Sequence, residues 1–371
     1  KNDPEVCWVK RNCMLKMVPV LLAVTLVLSG IALAGEYVDE TLEVTLAQYV
    51  EAYVGNSDAV KAAREDAENA QTQWQRAVDE KKAALTVKEL ENAAETKRLA
   101  LDEAVNNAAL QAVQAYVGLG QALRELEAKR VSLAVSQERL RVTNLRYEAG
   151  LTTKDAVLEQ ENSYLSASDS LLKAEQSLRQ TKRSFCQNIG AELCDDIVLA
   201  TDVSTLYGGV PEYGLNDSIE AAQGVGSSYF SAAAGKELAR RKCEALQDPL
   251  IATPTERETA EKSWKDAETR FASAEQSLID SIENALVELE SLVRNLNMQT
   301  ISAQRAQSNL EVARIKFQHG EMLQYELDNE TSSANQALYR MAKAKEDLFV
   351  HMLKLESLIG GSVLDIVMSK K

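Results

Sequence analysis

Proline is nearly absent from this chain: five occur, at Pro4, Pro19, Pro211, Pro249 and Pro254, and none lies between 20 and 210. Nothing in that stretch removes a backbone donor or clashes with a preceding turn, so long helices are the default reading. Aromatic residues are 5% of the composition, too few for base-stacking platforms, and 41 Lys+Arg face 56 Asp+Glu for a net charge of −15. A polyphosphate partner is bound through basic residues that displace counterions, so this balance argues against nucleic acid. Histidine is limited to His319 and His351, which are too far apart in the chain to form a short metal motif by themselves. A phosphate loop ending at Gly235-Lys236 would need glycine where Phe230 stands, and the nucleophile-elbow pattern fails around Gly224–Ser228. The acid pair Asp195-Asp196 reads as a solvated loop. No catalytic constellation, metal site or cofactor site emerges, and an enzyme is the weakest class.

One long apolar run is present. Residues 18–34, VPVLLAVTLVLSGIALA, follow Lys10, Arg11 and Lys16 and close on Ala32-Leu33-Ala34. A basic start, an apolar centre and a small-x-small end are the features of a secretory signal, with cleavage expected after Ala34 and Met14 as the expected initiator. An uncleaved anchor is the competing reading, since the run barely spans a bilayer. Removing 1–34 takes four basic and two acidic residues, moving the net charge from −15 to −17. No cysteine directly follows the run to accept a lipid. In an oxidising compartment Cys186 and Cys194 can pair across a short loop containing Gly190; three unpaired thiols, with Cys243, are the equal alternative.

Self-comparison organises the remainder. NLRYEAGLTTKDAVLEQENSYLSASDSLLKAEQSLRQTKRSFCQNIG, around Gly150, recurs as RIKFQHGEMLQYELDNETSSANQALYRMAKAKEDLFVHMLKLESLIG, around Gly320. Arg124/Arg294, Leu126/Leu296, Leu140/Leu310, Gly150/Gly320, Leu178/Leu348 and Gly190/Gly360 all keep an offset of 170. Upstream, LAQYVEAYVG (46–55) resembles LNDSIEAAQG (215–224) at an offset of 169. The organisation is therefore an extension plus signal peptide at 1–34, a first helical repeat at 35–200, a Gly/Pro linker at 201–214, a second repeat at 215–361 and a tail at 362–371.

Inside each copy the apolar period is seven: Leu119, Leu126, Leu133, Leu140 and Tyr147 before the first glycine, and Val157, Tyr164, Leu171, Leu178 and Phe185 after it. A strict seven-residue repeat winds helices left-handedly around partners. Each copy is thus an antiparallel helical hairpin turning at Gly150 or Gly320, where positive φ is expected. Thr152 or Thr153 should restart the chain as an N-cap. Ahead of the hairpins, single helices are expected from Val44 to about Leu85 and from Asn216 to about Asp248. Capping boxes are expected at Thr86-Val87-Lys88-Glu89 and Thr253-Pro254-Thr255-Glu256. The fold class is all-α, a tandem duplication of long coiled-coil hairpins with little or no β. Slim hairpins cannot enclose their own apolar stripes, so sister chains should cover some of them.

The opening Thr45-Leu46-Ala47-Gln48-Tyr49-Val50-Glu51-Ala52, the long helix, the aromatic-x-x-Gly turn and the return helix ending Ile-Gly resemble the TolC-type outer-membrane efflux family over most of 42–361. The resemblance implies a homotrimer whose hairpins form a periplasmic tube, an adaptor (membrane fusion) protein and an inner-membrane transporter as partners, and an exported protein of the cell envelope. By position it implies adaptor-binding tips at Ala149, Gly150, Leu151, Thr152 and at His319, Gly320, Glu321, Met322, the second departing from the family pattern at Glu321 and Met322. It also implies gate acids among Asp155, Glu326 and Asp328. The family's membrane strands have no room at the turns near Thr86 and Thr253, where helix-forming sequence runs on both sides. Two functions follow: a duct component for export of small molecules or proteins, or a non-conducting coiled-coil scaffold of the envelope.

Overall fold

The computed structural model describes residues 42–369 except 192–196, 207, 210 and 249–251. The expected signal segment and initiator, Cys194 and Asp195-Asp196 lie outside the described residues. Among those described, nine helices account for nearly all regular structure. They are α1 (Leu46–Asn56), α2 (Asp58–Asp79), α3 (Ala84–Glu148), α4 (Lys154–Ile189), α5 (Leu215–Val225), α6 (Ser227–Ala245), α7 (Pro254–Gln318), α8 (Gln324–Leu358) and α9 (Val363–Ser369). The only paired strands among these residues are β1 (Leu42–Val44) and β2 (Ile197–Leu199), which run parallel. The all-α expectation holds.

The two longest helices, α3 and α7, each have 65 residues, roughly 100 Å at 1.5 Å per residue. Both hairpin seams follow the seven-residue period. Leu119, Leu126, Leu178 and Phe185 are buried in the first, and Leu289, Leu296, Ala303, Leu310, Leu348 and Leu355 in the second. Toward the hairpin turns the helices stand in the order α4, α3, α8, α7; toward the opposite end α2, α3, α6 and α7 are neighbours. The long helices therefore run through both layers and exchange partners midway.

Two local expectations are corrected. The single first helix of each copy is broken in two, at Ser57 and at Gly226, where ψ turns to 119° and 114°. Ser57 caps α2 by accepting from the Val60 N–H. Gly226 has ordinary φ, and a Cβ there would sit tightly, 3.2 Å from the Ala222 carbonyl oxygen and 3.4 Å from Leu278. The second correction is at Thr86, which forms no cap. α2 ends at Asp79, Lys81 turns through φ 52°, and α3 begins at Ala84 with no side-chain cap. The Thr253 box forms as expected, with Glu256 accepting from the Thr253 N–H at 2.7 Å and Pro254 in the first turn. It prevails there because Pro254 favours a helix start directly after Thr253, whereas at Thr86 the helix has already restarted two residues earlier, at Ala84.

The middle of the fold is tied together by an aromatic cluster. Tyr49 of α1 stacks on Phe185 of α4, with centroids 3.9 Å apart, and Tyr116 of α3 leans on both. The Tyr116 hydroxyl donates to the Val44 carbonyl at 2.9 Å and accepts from the Thr201 N–H at 3.0 Å, fixing α3 against the end of β1 and the segment that follows β2. Asn188 donates to the Tyr49 hydroxyl at 3.1 Å. Burial pushes the Tyr49 phenol up to about 12 and also raises Tyr116. A phenol raised on folding contributes stability that is complete below its unfolded value, near 10, and is lost as pH climbs through the folded one. Unfolding should therefore set in between about pH 10 and 12, and ultraviolet titration should show these phenols ionising together with loss of helical circular dichroism. Independent early ionisation of Tyr49 in a folded protein would contradict this.

Candidate functional site

The two hairpin turns are built alike. Ala149 and His319 end α3 and α7, and Gly150 and Gly320 follow at φ 72° and 74°. The Gly150 and Gly320 N–H groups donate to Tyr147 and Phe317, and the next residues, Leu151 and Glu321, donate to Arg146 and Lys316 at 2.8 and 2.9 Å. This satisfies the last carbonyls of each helix. His319 itself has φ −87°, and the left-handed residue of the turn is its neighbour Gly320. Thr153 caps α4, accepting from the Ala156 N–H.

The turns differ in chemistry. Ala149, Gly150 and Leu151 are exposed and Thr152 half-buried; Leu151, at 77% exposure, is the most exposed large apolar residue among those described. The second turn presents His319, Gly320 and Glu321 with Met322 half-buried. Both turns lie at one end of the helix row. α3 and α8 run antiparallel, because Asn106 bonds Gly361 and Val363 while Arg124 and Gln121 bond Glu346. Gly150 lies as far beyond Arg124 as Gly320 lies before Glu346.

Of the three candidate gate acids, Asp155 is exposed in the first turn of α4. Glu326 is half-buried and accepts from the Leu323 N–H at 2.9 Å and the Tyr325 hydroxyl at 3.3 Å, which caps α8. Asp328 accepts from Gln324 at 2.8 Å. No group of three or more potential metal ligands occurs among the described residues. His351 is a buried seam residue whose Nε2 donates to the Ala285 carbonyl at 2.7 Å.

Rows of exposed apolar residues run along the outer helices α4 and α7. On α4, Leu151 just before it and then Leu158, Leu165 and Leu172, at 51–61% exposure, form a row spaced by seven. On α7, Val287, Met298, Ile301, Val312 and Ile315 are 51–64% exposed. Repeat-equivalent positions have opposite fates: Val117 on α3 is 6% exposed beneath its neighbours, and Val287, its copy on α7, is 64% exposed.

Sequence reading missed the junction between the copies. Glu346, 2% exposed, accepts from Gln121 at 3.1 Å and pairs with Arg124, which also lies over the Tyr339 ring. The conserved offset of Arg124 and Arg294 was visible, but the partner position is Gln176 in the first copy, so the pair leaves no repeat signature. Cys186 is disulfide-bonded, which decides between the two readings of the thiols; its expected partner Cys194 lies outside the described residues. Cys243 is free.

No helix among the described residues is long and apolar enough to cross a membrane. Comparison with family models and with curated proteins finds no match to the sequence. Solved structures do match. The chain is similar to CusC, a protein described through transmembrane channel formation, with a TM-score of 0.61 at 15% identity over 86% of this chain and 96% of that one. It is similar to a membrane protein from Pseudomonas aeruginosa (0.58, 13%, 87% and 91%) and to the outer-membrane protein VceC from Vibrio cholerae (0.56, 14%, 86% and 96%). The fold implied by the resemblance to TolC-type proteins is the fold observed.

Proposed function

We propose that this chain is a subunit of a TolC-type efflux duct: exported to the cell envelope, associated with the outer membrane, assembled as a homotrimer, and not an enzyme. The observation that carries this reading is the pair of apolar stripes on α4 and α7, the two outer members of the helix row. Val117 is buried on α3, while its repeat equivalent Val287, the other apolar residues exposed on α7 and the leucine row on α4 stay bare in the single chain, where a second chain can cover them. A head-to-tail contact of this kind generates a ring when the rotation closes. The duplication into 35–200 and 215–361, with a processed segment at 1–34, then places six repeats around a trimer. The Cys186 disulfide agrees with an oxidising compartment.

In this reading Ala149, Gly150, Leu151 and Thr152, with His319, Gly320, Glu321 and Met322, meet the hairpin of a periplasmic adaptor that recruits an inner-membrane transporter. Asp155, Glu326 and Asp328 line the narrow end. One observation favours the second reading, a non-conducting envelope scaffold: α2 and α3 are joined by residues 80–83 alone, too short a link for membrane strands.

The test is mass measurement of the exported chain in solution together with negative-stain images. A three-fold particle with a stained central lumen is the expected result. A solid dimer favours the scaffold, and a well-ordered monomer at high concentration sinks both.

A further inference from the structure

We infer that an ionic band joins neighbouring subunits, Arg179 and Arg183 of α4 in one copy meeting Glu283 and Glu290 of α7 in the next. This rests on the ring reading above and adds the chemistry of its seam. The internal repeat supplies the register. Adding 170 carries α3 onto α7, and subtracting 170 carries α8 onto α4. Because α4 and α7 are the outer helices, the repeat equivalent of the α3–α8 contact can form only between two chains. Arg124 opposite Glu346 then becomes Arg294 opposite Gln176.

One to two turns along, Phe349 and Leu353 of α8 are buried in the same packed cluster as Val113 and Val117 of α3. Their copies on α4 are Arg179 and Arg183. Val113, Val117 and Gly120 become Glu283, Val287 and Glu290 on α7. An apolar band within the chain thus turns into two cations facing two anions between chains. All four groups are exposed in the single chain. Glu290 has only the next-turn Arg294, at 3.3 Å, and Arg179, Arg183 and Glu283 make no ion pair among the described residues. Nearer the turns the same register sets Leu172 against Met298 and Leu158 against Val312, apolar on apolar. The charged band fixes register and suppresses wrong pairings, while the leucine row supplies the burial.

Exposed ion pairs are screened by salt and a buried one is not, so the seam between chains should loosen with ionic strength while the α3–α8 seam inside each chain holds. Reversing the bases in the full exported chain (Arg179→Glu with Arg183→Glu) should weaken self-association about tenfold at low salt. Glu283→Arg with Glu290→Arg should do the same, and the four-fold reversal should restore it. Circular dichroism checks that each variant is folded. A disulfide cross-link between Leu158→Cys and Val312→Cys, placed in the apolar part, reports the ring independently. Cross-linking that persists without any effect of charge reversal overturns the ionic band and leaves the ring standing. Absence of both cross-link and assembly overturns both.

Discussion

Arg124→Met is expected to destabilise the chain by about 3 kcal/mol, among the largest effects of any single polar substitution. It leaves the Glu346 carboxylate, 2% exposed, with Gln121 as its remaining hydrogen-bond donor. Breaking a buried pair from one side costs about 3–5 kcal/mol; the lower end applies because the Arg124 side chain keeps 34% exposure and part of its charge was screened by water. The double variant Arg124→Met with Glu346→Leu removes both charges and should recover most of the loss, since a packed apolar pair of similar volume is often as stable as the ions it replaces. Urea denaturation of the two single variants and the double, at one protein concentration, completes the cycle. Additive losses in the double variant would mean that the two groups do not act as a pair. The contact holds α3 of the first copy to α8 of the second, so its loss should also loosen the alignment of the two hairpin turns.

Phe185→Ala should cost about 3–5 kcal/mol, the range for truncating a buried phenylalanine whose cavity cannot collapse. Phe185 is 1% exposed and stacked face to face on Tyr49 at an interplanar angle of 11°, with Tyr116 tilted against both rings. These three side chains come from α4, α1 and α3, so no single helix can shift to fill the space. Phe185→Leu should cost roughly 1–2 kcal/mol, because most of the apolar volume is kept and only the ring stacking is lost. Near-ultraviolet circular dichroism from the two tyrosines should fall in the alanine variant even where helix content is retained. Equal stability of the alanine and leucine variants would show that the cluster does not act as the junction of the three helices.

Much of this architecture was legible because its signals are local and repeated. The absence of proline from 20 to 210, the seven-residue spacing through Leu119, Leu126 and Leu178, and the glycines at 150 and 320 each act through backbone geometry or a single helix face. The hairpins follow directly from them. The breaks at Ser57 and Gly226 carry no proline; their signal is a short cluster of poor helix formers, Gly55-Asn56-Ser57-Asp58 and Gly224-Val225-Gly226-Ser227, which recurs in the two copies at an offset of 169, the one-residue change already present upstream. At Thr86 the motif has the residues of a capping box, but three-residue spacing alone does not say that the helix has already begun, at Ala84.

By itself, then, the order of residues determined the duplication, the long hairpins, their glycine turns and the apolar faces that one chain cannot bury, since all of these arise from periodicity within a few turns of helix. Only the tertiary structure decided which helices become neighbours. It set α3 beside α8, buried Glu346 against Arg124, drew Tyr49, Tyr116 and Phe185 together and left α4 and α7 at the edges. Such contacts join residues up to two hundred or more positions apart, and equal copies of a repeat acquire unequal surroundings once one lies inside the row and the other ends it.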